Sequence, residues 1–121
     1  MREETKKWLD KAKDDLRKAK DNFKIENYDL TSFLCQQAVE KSLKAILIER
    51  TKKFPKIHDL VKLGELVGLD EKLLKNCEKL SPVYIETRYP NVSEEDYTKK
   101  ESSQDIKTAE QIIKWTTKNL L

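Results

Sequence analysis

Turn-forming residues are scarce in this chain. Two glycines and three prolines in 121 residues leave too few sites for the tight turns that a many-stranded β protein needs. The only cysteines, Cys35 and Cys77, lack Cys-x-x-Cys spacing, which excludes a disulfide framework and a zinc ribbon. With a single histidine, His58, there is no His-Glu-x-x-His motif, and no metal site is expected. Neither GxxxxGK[ST] nor GxGxxG occurs, so no P-loop or Rossmann mode is available and no cofactor is expected. No apolar run approaches the roughly 18 residues of a membrane span. The segment Met1-Arg2-Glu3-Glu4-Thr5-Lys6-Lys7 lacks the apolar core of a secretory signal. A cytoplasmic location is expected, where disulfides are rare.

Charge and helical periodicity are what the chain does have. Charged residues make up 39% and mean hydropathy is -0.80, a polar exterior. The 25 basic and 22 acidic residues give a net charge of +3, too balanced to signal nucleic acid by itself. Their distribution is uneven. Between residues 41 and 62, Lys41, Lys44, Arg50, Lys52, Lys53, Lys56 and Lys62 face only Glu49 and Asp59; between 91 and 105 the surplus is acidic. Such a layout attracts an anion to the middle of the chain, and it equally describes a solvated helix end and a solvated loop.

Apolar spacing predicts five helices in one domain, residues 1–121, with no internal repeat. The first spans Glu3 to Ile25, with Trp8, Ala12, Leu16, Ala19 and Phe23 on one stripe. The second spans Leu30 to Thr51 behind Asn27 or Asp29 as cap. Its apolar band is wide enough for two neighbours, or for one neighbour and a second protomer. A short third helix, Asp59 to Val67, turns Leu60, Leu63, Leu66 and Val67 inward and stops at Gly68. The fourth begins at Asp70, and Pro82 should kink or split it. Residues 91–104 show no apolar period and read as a loop. A fifth helix follows Ser102 or Ser103, with Ile106, Ala109, Ile112, Ile113, Thr116 and Leu120 inward. The fold class is therefore all-α: an antiparallel up-down bundle of four main helices plus one short helix.

Three clusters are candidates for chemistry. His58-Asp59 opens the third helix, where free N–H groups favour anions and a histidine can hydrogen-bond a phosphate. Alternatively, Asp59 caps the helix and His58 packs on the second helix. Lys41 and Lys44 border an anion site, or Lys44 forms an exposed i,i+4 pair with Glu40 worth about 0.3 kcal/mol. In Tyr84-Ile85-Glu86-Thr87-Arg88-Tyr89-Pro90, Tyr84 and Arg88 share a helix face, so a guanidinium fork and aromatic rings converge on one ligand. They serve equally as packing, with Arg88 tied to a carboxylate such as Glu40. Spacing alone supports no Ser-His-Asp or Cys-His case, and no catalytic residue is assigned.

Together these residues resemble the HEPN family, in its Arg-Tyr-Pro type from archaea and bacteria. The resemblance runs through Trp8, Ala12, Asp15-Leu16, Ala19 and Tyr28. It continues in Cys35-Gln36-Gln37-Ala38-Val39-Glu40-Lys41-Ser42-Leu43-Lys44-Ala45, His58-Asp59-Leu60, Tyr84 to Pro90 and Trp115. It implies a helical bundle, usually a homodimer, that binds a nucleotide. It also implies pairing with a small nucleotidyltransferase in a two-component, toxin-antitoxin-like arrangement. The expected ligand contacts are Lys44, His58, Asp59, Tyr84, Arg88 and Tyr89. Many members are metal-independent ribonucleases with an Arg-x(4 to 6)-His motif. Here Arg88 is followed at that spacing by Ser93, Glu94 and Glu95, and Arg50 stands too far from His58. Ribonuclease activity is therefore not carried over, and RNA is the least supported ligand.

Overall fold

The computed structural model describes the backbone of residues 1–88 and 98–120 and the side chains of residues 1–80 and 98–120. Five helices follow one another: α1 Glu3–Lys24, α2 Tyr28–Thr51, α3 Leu60–Val67, α4 Glu71–Arg88 and α5 Lys99–Leu120. No strand occurs among the described residues. The bundle is the expected all-α, up-down arrangement. α1 runs antiparallel to α2: Arg2 bonds Glu49 at one end and Thr31 donates to the Ala19 carbonyl at the other. The first turns of α2 and α5 lie together, where Ser102 Oγ donates to the Tyr28 carbonyl at 2.9 Å. α4 returns against α5, so that Leu73 and Trp115 line one cleft.

α2 is the centre of this layout. It touches α1, α3, α4 and α5, and 14 of its 24 residues are buried. The apolar width of α2 is thus taken up by neighbours within the chain. The core joins Ala12, Leu16, Cys35, Val39, Leu43, Ile46, Leu60, Leu63, Leu80 and Ile112, each large side chain worth about 1.5–3 kcal/mol on burial. On α1 the innermost stripe is Thr5, Leu9, Ala12, Leu16 and Ala19. Trp8 lies half-buried beside it rather than in it. Leu66, expected inward, is exposed, because Gly64 takes the position facing Leu69 and Leu74.

The helix ends follow local chemistry. Asp59 Oδ1 accepts from the N–H groups of Val61 and Lys62, capping α3, and Asp70 Oδ1 accepts from Leu73 N–H, capping α4. Gly68 ends α3 at φ 82°, a left-handed conformation natural to glycine. Lys52 ends α2 at φ 61° without that freedom. α2 begins at Tyr28, two residues before the expected start. α4 passes through Pro82 as one helix. Proline removes one N–H and crowds the carbonyl four residues back, a local cost that does not end the helix here. α5 begins at Lys99, not after Ser102, with Thr98 Oγ1 accepting from Glu101 N–H as its cap. Its first turns escape the apolar pattern because they bury polar groups. Ser102 and Asp105 face α2, with Ser102 Oγ 3.1 Å from Ser32 Oγ.

Candidate functional site

The C-terminal half of α2, the N-terminal half of α1 and the link between α2 and α3 meet in a charged corner. Glu40 and Lys44 are one turn apart on α2, and both are buried, at 5% and 2% exposure. Glu40 Oε2 is 3.6 Å from Lys44 Nζ, and Glu40 Oε1 is 3.0 Å from His58 Nδ1. One carboxylate thus holds both candidate residues. The pair is not the exposed surface bridge expected of i,i+4 spacing, because the link before α3 covers this face of α2. In that setting desolvation offsets much of the attraction, and removing one partner leaves a costly buried charge.

Lys44 is enclosed by more than its ion pair. Its Nζ lies 5.1 Å from the centroid of the Phe54 ring, a cation–π contact. Phe54 in turn meets Trp8, with ring centroids 4.7 Å apart and planes inclined by 40°. Phe54 remains 49% exposed. Next to this stack Lys41 donates to the buried carboxylate of Asp15. Lys7, Trp8, Lys11 and Lys41 line a cleft of about 310 Å³. Among the described residues neither Lys7 nor Lys11 forms an ion pair. The corner therefore holds the lysines 7, 11, 41 and 44 against Asp15 and Glu40, a cationic surplus beside aromatic rings.

Lys44 and His58 come together through Glu40. Asp59 is next to His58, and its carboxylate engages the first N–H groups of α3, the position a phosphate would take at that helix end. Tyr84 and Arg88 lie on the backbone of α4, but their side chains, and all of Tyr89, are outside the described residues. Phe54 and the Asp15–Lys41 pair were not singled out from the sequence. Phe54 sits in a link, where no periodicity marks it, and Asp15 adjoins the apolar stripe of α1 as one charged residue among many.

A second polar cluster lies between α2 and α5. Asp105 is 8% exposed, and its carboxyl is pushed up to about 6, first by burial and then by Glu101, with the Ser32 hydroxyl opposing the rise. Beside it, burial and the charges of Asp105 and Glu110 push the Cys35 thiol upward. Burial alone raises Cys77 to about 12. Neither thiol suits nucleophilic chemistry. Among the described residues no three His, Cys, Asp or Glu side chains converge as a metal site, and no helix is long and apolar enough to cross a membrane.

A family model of the HEPN domain matches residues 5–120. The chain belongs to the HEPN family. The crystal structure of TT1696 from Thermus thermophilus superposes with a TM-score of 0.86 at 27% identity, over 94% of this chain and 96% of that one. The crystal structure of ST0689, an archaeal HEPN homologue, gives 0.83 at 26% identity, over 97% and 98%. No curated protein matches. Glu40, Lys44 and His58, which lie in the segments that resemble the family, are one physical unit in this fold.

Proposed function

We propose that this HEPN protein is a nucleotide-binding module and the accessory half of a two-component system with a small nucleotidyltransferase, acting as a homodimer. The observation that carries the nucleotide reading is the cleft formed by Lys7, Trp8, Lys11 and Lys41 beside the Lys44–Phe54 contact. Lysine ammonium groups suit phosphates, and an exposed aromatic edge suits a base. In this reading Lys7 and Lys11 meet the phosphates and Phe54 meets the base. Glu40 holds Lys44 and His58 beside this cleft. A partner enzyme would supply any chemistry, in keeping with the missing Arg-x(4 to 6)-His motif.

The test is a titration of ATP, GTP and AMP into labelled protein, following backbone amide shifts. Saturable shifts at Trp8, Lys11, Lys41, Phe54 and His58, weakened in Lys11→Ala, are the expected result. No shift at millimolar nucleotide refutes the reading. A second reading, a non-catalytic interaction subunit of toxin-antitoxin type, is favoured by one observation: Glu40 already neutralises Lys44 and holds His58, which gives both residues a structural role. Recovery of a nucleotidyltransferase with the protein from its host, without any nucleotide response, would select it.

A further inference from the structure

A second cleft, of about 300 Å³, opens between the start of α4 and the last turns of α5, lined by Asp70, Lys72, Leu73, Gln111, Lys114, Trp115 and Lys118. It is remote in sequence from the corner described above, and the nucleotide reading does not use it. Its floor is apolar: Leu73 is buried, and Trp115 packs half-buried against the core. Its rim is cationic. Lys72, Lys114 and Lys118 are all exposed, and among the described residues none of them forms an ion pair. The one carboxylate present, Asp70, is engaged with the Leu73 N–H at 2.9 Å.

We propose that this cleft docks an acidic segment of a partner protein, with one apolar side chain seated on Leu73 and Trp115 and flanking carboxylates on Lys72, Lys114 and Lys118. Two observations choose this occupant. The rim is complementary to negative charge, and lysine stems extend the apolar floor while their ammonium groups stay in water. A half-buried indole leaves little open ring face, whereas single-stranded nucleic acid needs such a face for base stacking. An apolar side chain needs only an edge and a floor.

The test exploits the chain's two tryptophans. In Trp8→Phe, Trp115 is the only indole and its emission reports this cleft alone. Three probes are titrated at low salt: a synthetic peptide with one leucine flanked by glutamates, an all-glutamate peptide of equal length, and an oligouridylate. The leucine-containing peptide is expected to shift Trp115 emission saturably and to bind more tightly than the all-glutamate peptide. Lys114→Glu combined with Lys118→Glu is expected to weaken it by roughly tenfold, the scale of two exposed charge reversals. Both lysines are exposed, so circular dichroism should show an unchanged fold. No saturable shift, binding indifferent to the charge reversal, or a tighter response to oligouridylate would each overturn the proposal. Nucleotide titration of Trp115→Phe, read at Trp8, tests the other corner separately. Failure at either cleft is thereby distinguished from failure at the other.

Discussion

Asp105→Asn should make the protein more stable at neutral pH and leave it nearly unchanged in acid. The carboxyl is buried between α5 and α2 at 8% exposure and titrates near 6 because burial disfavours its charge. An unfolded aspartate titrates near 3.9. With the folded value raised, the favourable contribution is complete below about pH 4 and is lost as pH rises through 6. Above that, folding bears the cost of a desolvated carboxylate. About two pH units at about 1.4 kcal/mol each set a ceiling of about 3 kcal/mol. Asparagine keeps an oxygen for the Ser32 hydroxyl and, like the protonated carboxyl, is neutral and carries a donor, so its gain at neutral pH approaches that ceiling and vanishes in acid. Urea unfolding at pH 7.5 and pH 4, on wild type and variant, measures it. The midpoint should rise at pH 7.5 and converge with wild type at pH 4. An equal midpoint at pH 7.5, or a gain of the same size at both pH values, would refute the reasoning.

Other outcomes follow from the charged corner and the helix ends. Glu40→Ala should cost about 3–5 kcal/mol in chemical unfolding, since it leaves Lys44 buried without its carboxylate. The joint replacement Glu40→Leu with Lys44→Met should recover most of that loss; if it does not, the pair does more than satisfy itself. Asp59→Ala should cost about 1 kcal/mol by removing the α3 cap, read as a fall in thermal midpoint. Lys52→Gly should gain up to about 1 kcal/mol, because the left-handed residue that ends α2 would no longer strain a side chain.

Much of the fold was legible because apolar spacing is a local signal. The inward faces of α2 and the caps Asp59, Asp70 and Gly68 follow from a few neighbouring residues each. The start of α5 was not legible. Its first turns face inward through Ser102 and Asp105, and polar residues that bury one another against α2 carry no hydrophobic period. The same cause hid the setting of Glu40 and Lys44. An i,i+4 charge pair reads as surface, and only the link carrying Phe54 and His58 turns it into an interior one. Trp8 was misplaced by one step: it stands four residues before Ala12 and so falls on the apolar stripe, while Leu9 fills the core and Trp8 closes on Phe54. The candidate corner was partly legible through Lys44 and His58, but the partners that define it come from a link and from another helix.

The two buried thiols have a use unrelated to the sites. Cys35 sits in α2 and Cys77 in α4, both buried in the core and both with thiolates strongly disfavoured. A thiol reagent reaches either one only when its helix leaves the bundle. The chain therefore carries two internal clocks. The labelling rate of Cys77 in a Cys35→Ala variant times the release of α4, and the converse variant times the release of α2. Comparing the two rates shows whether the bundle opens as one unit or sheds α4 first, with no labelling site added to the chain.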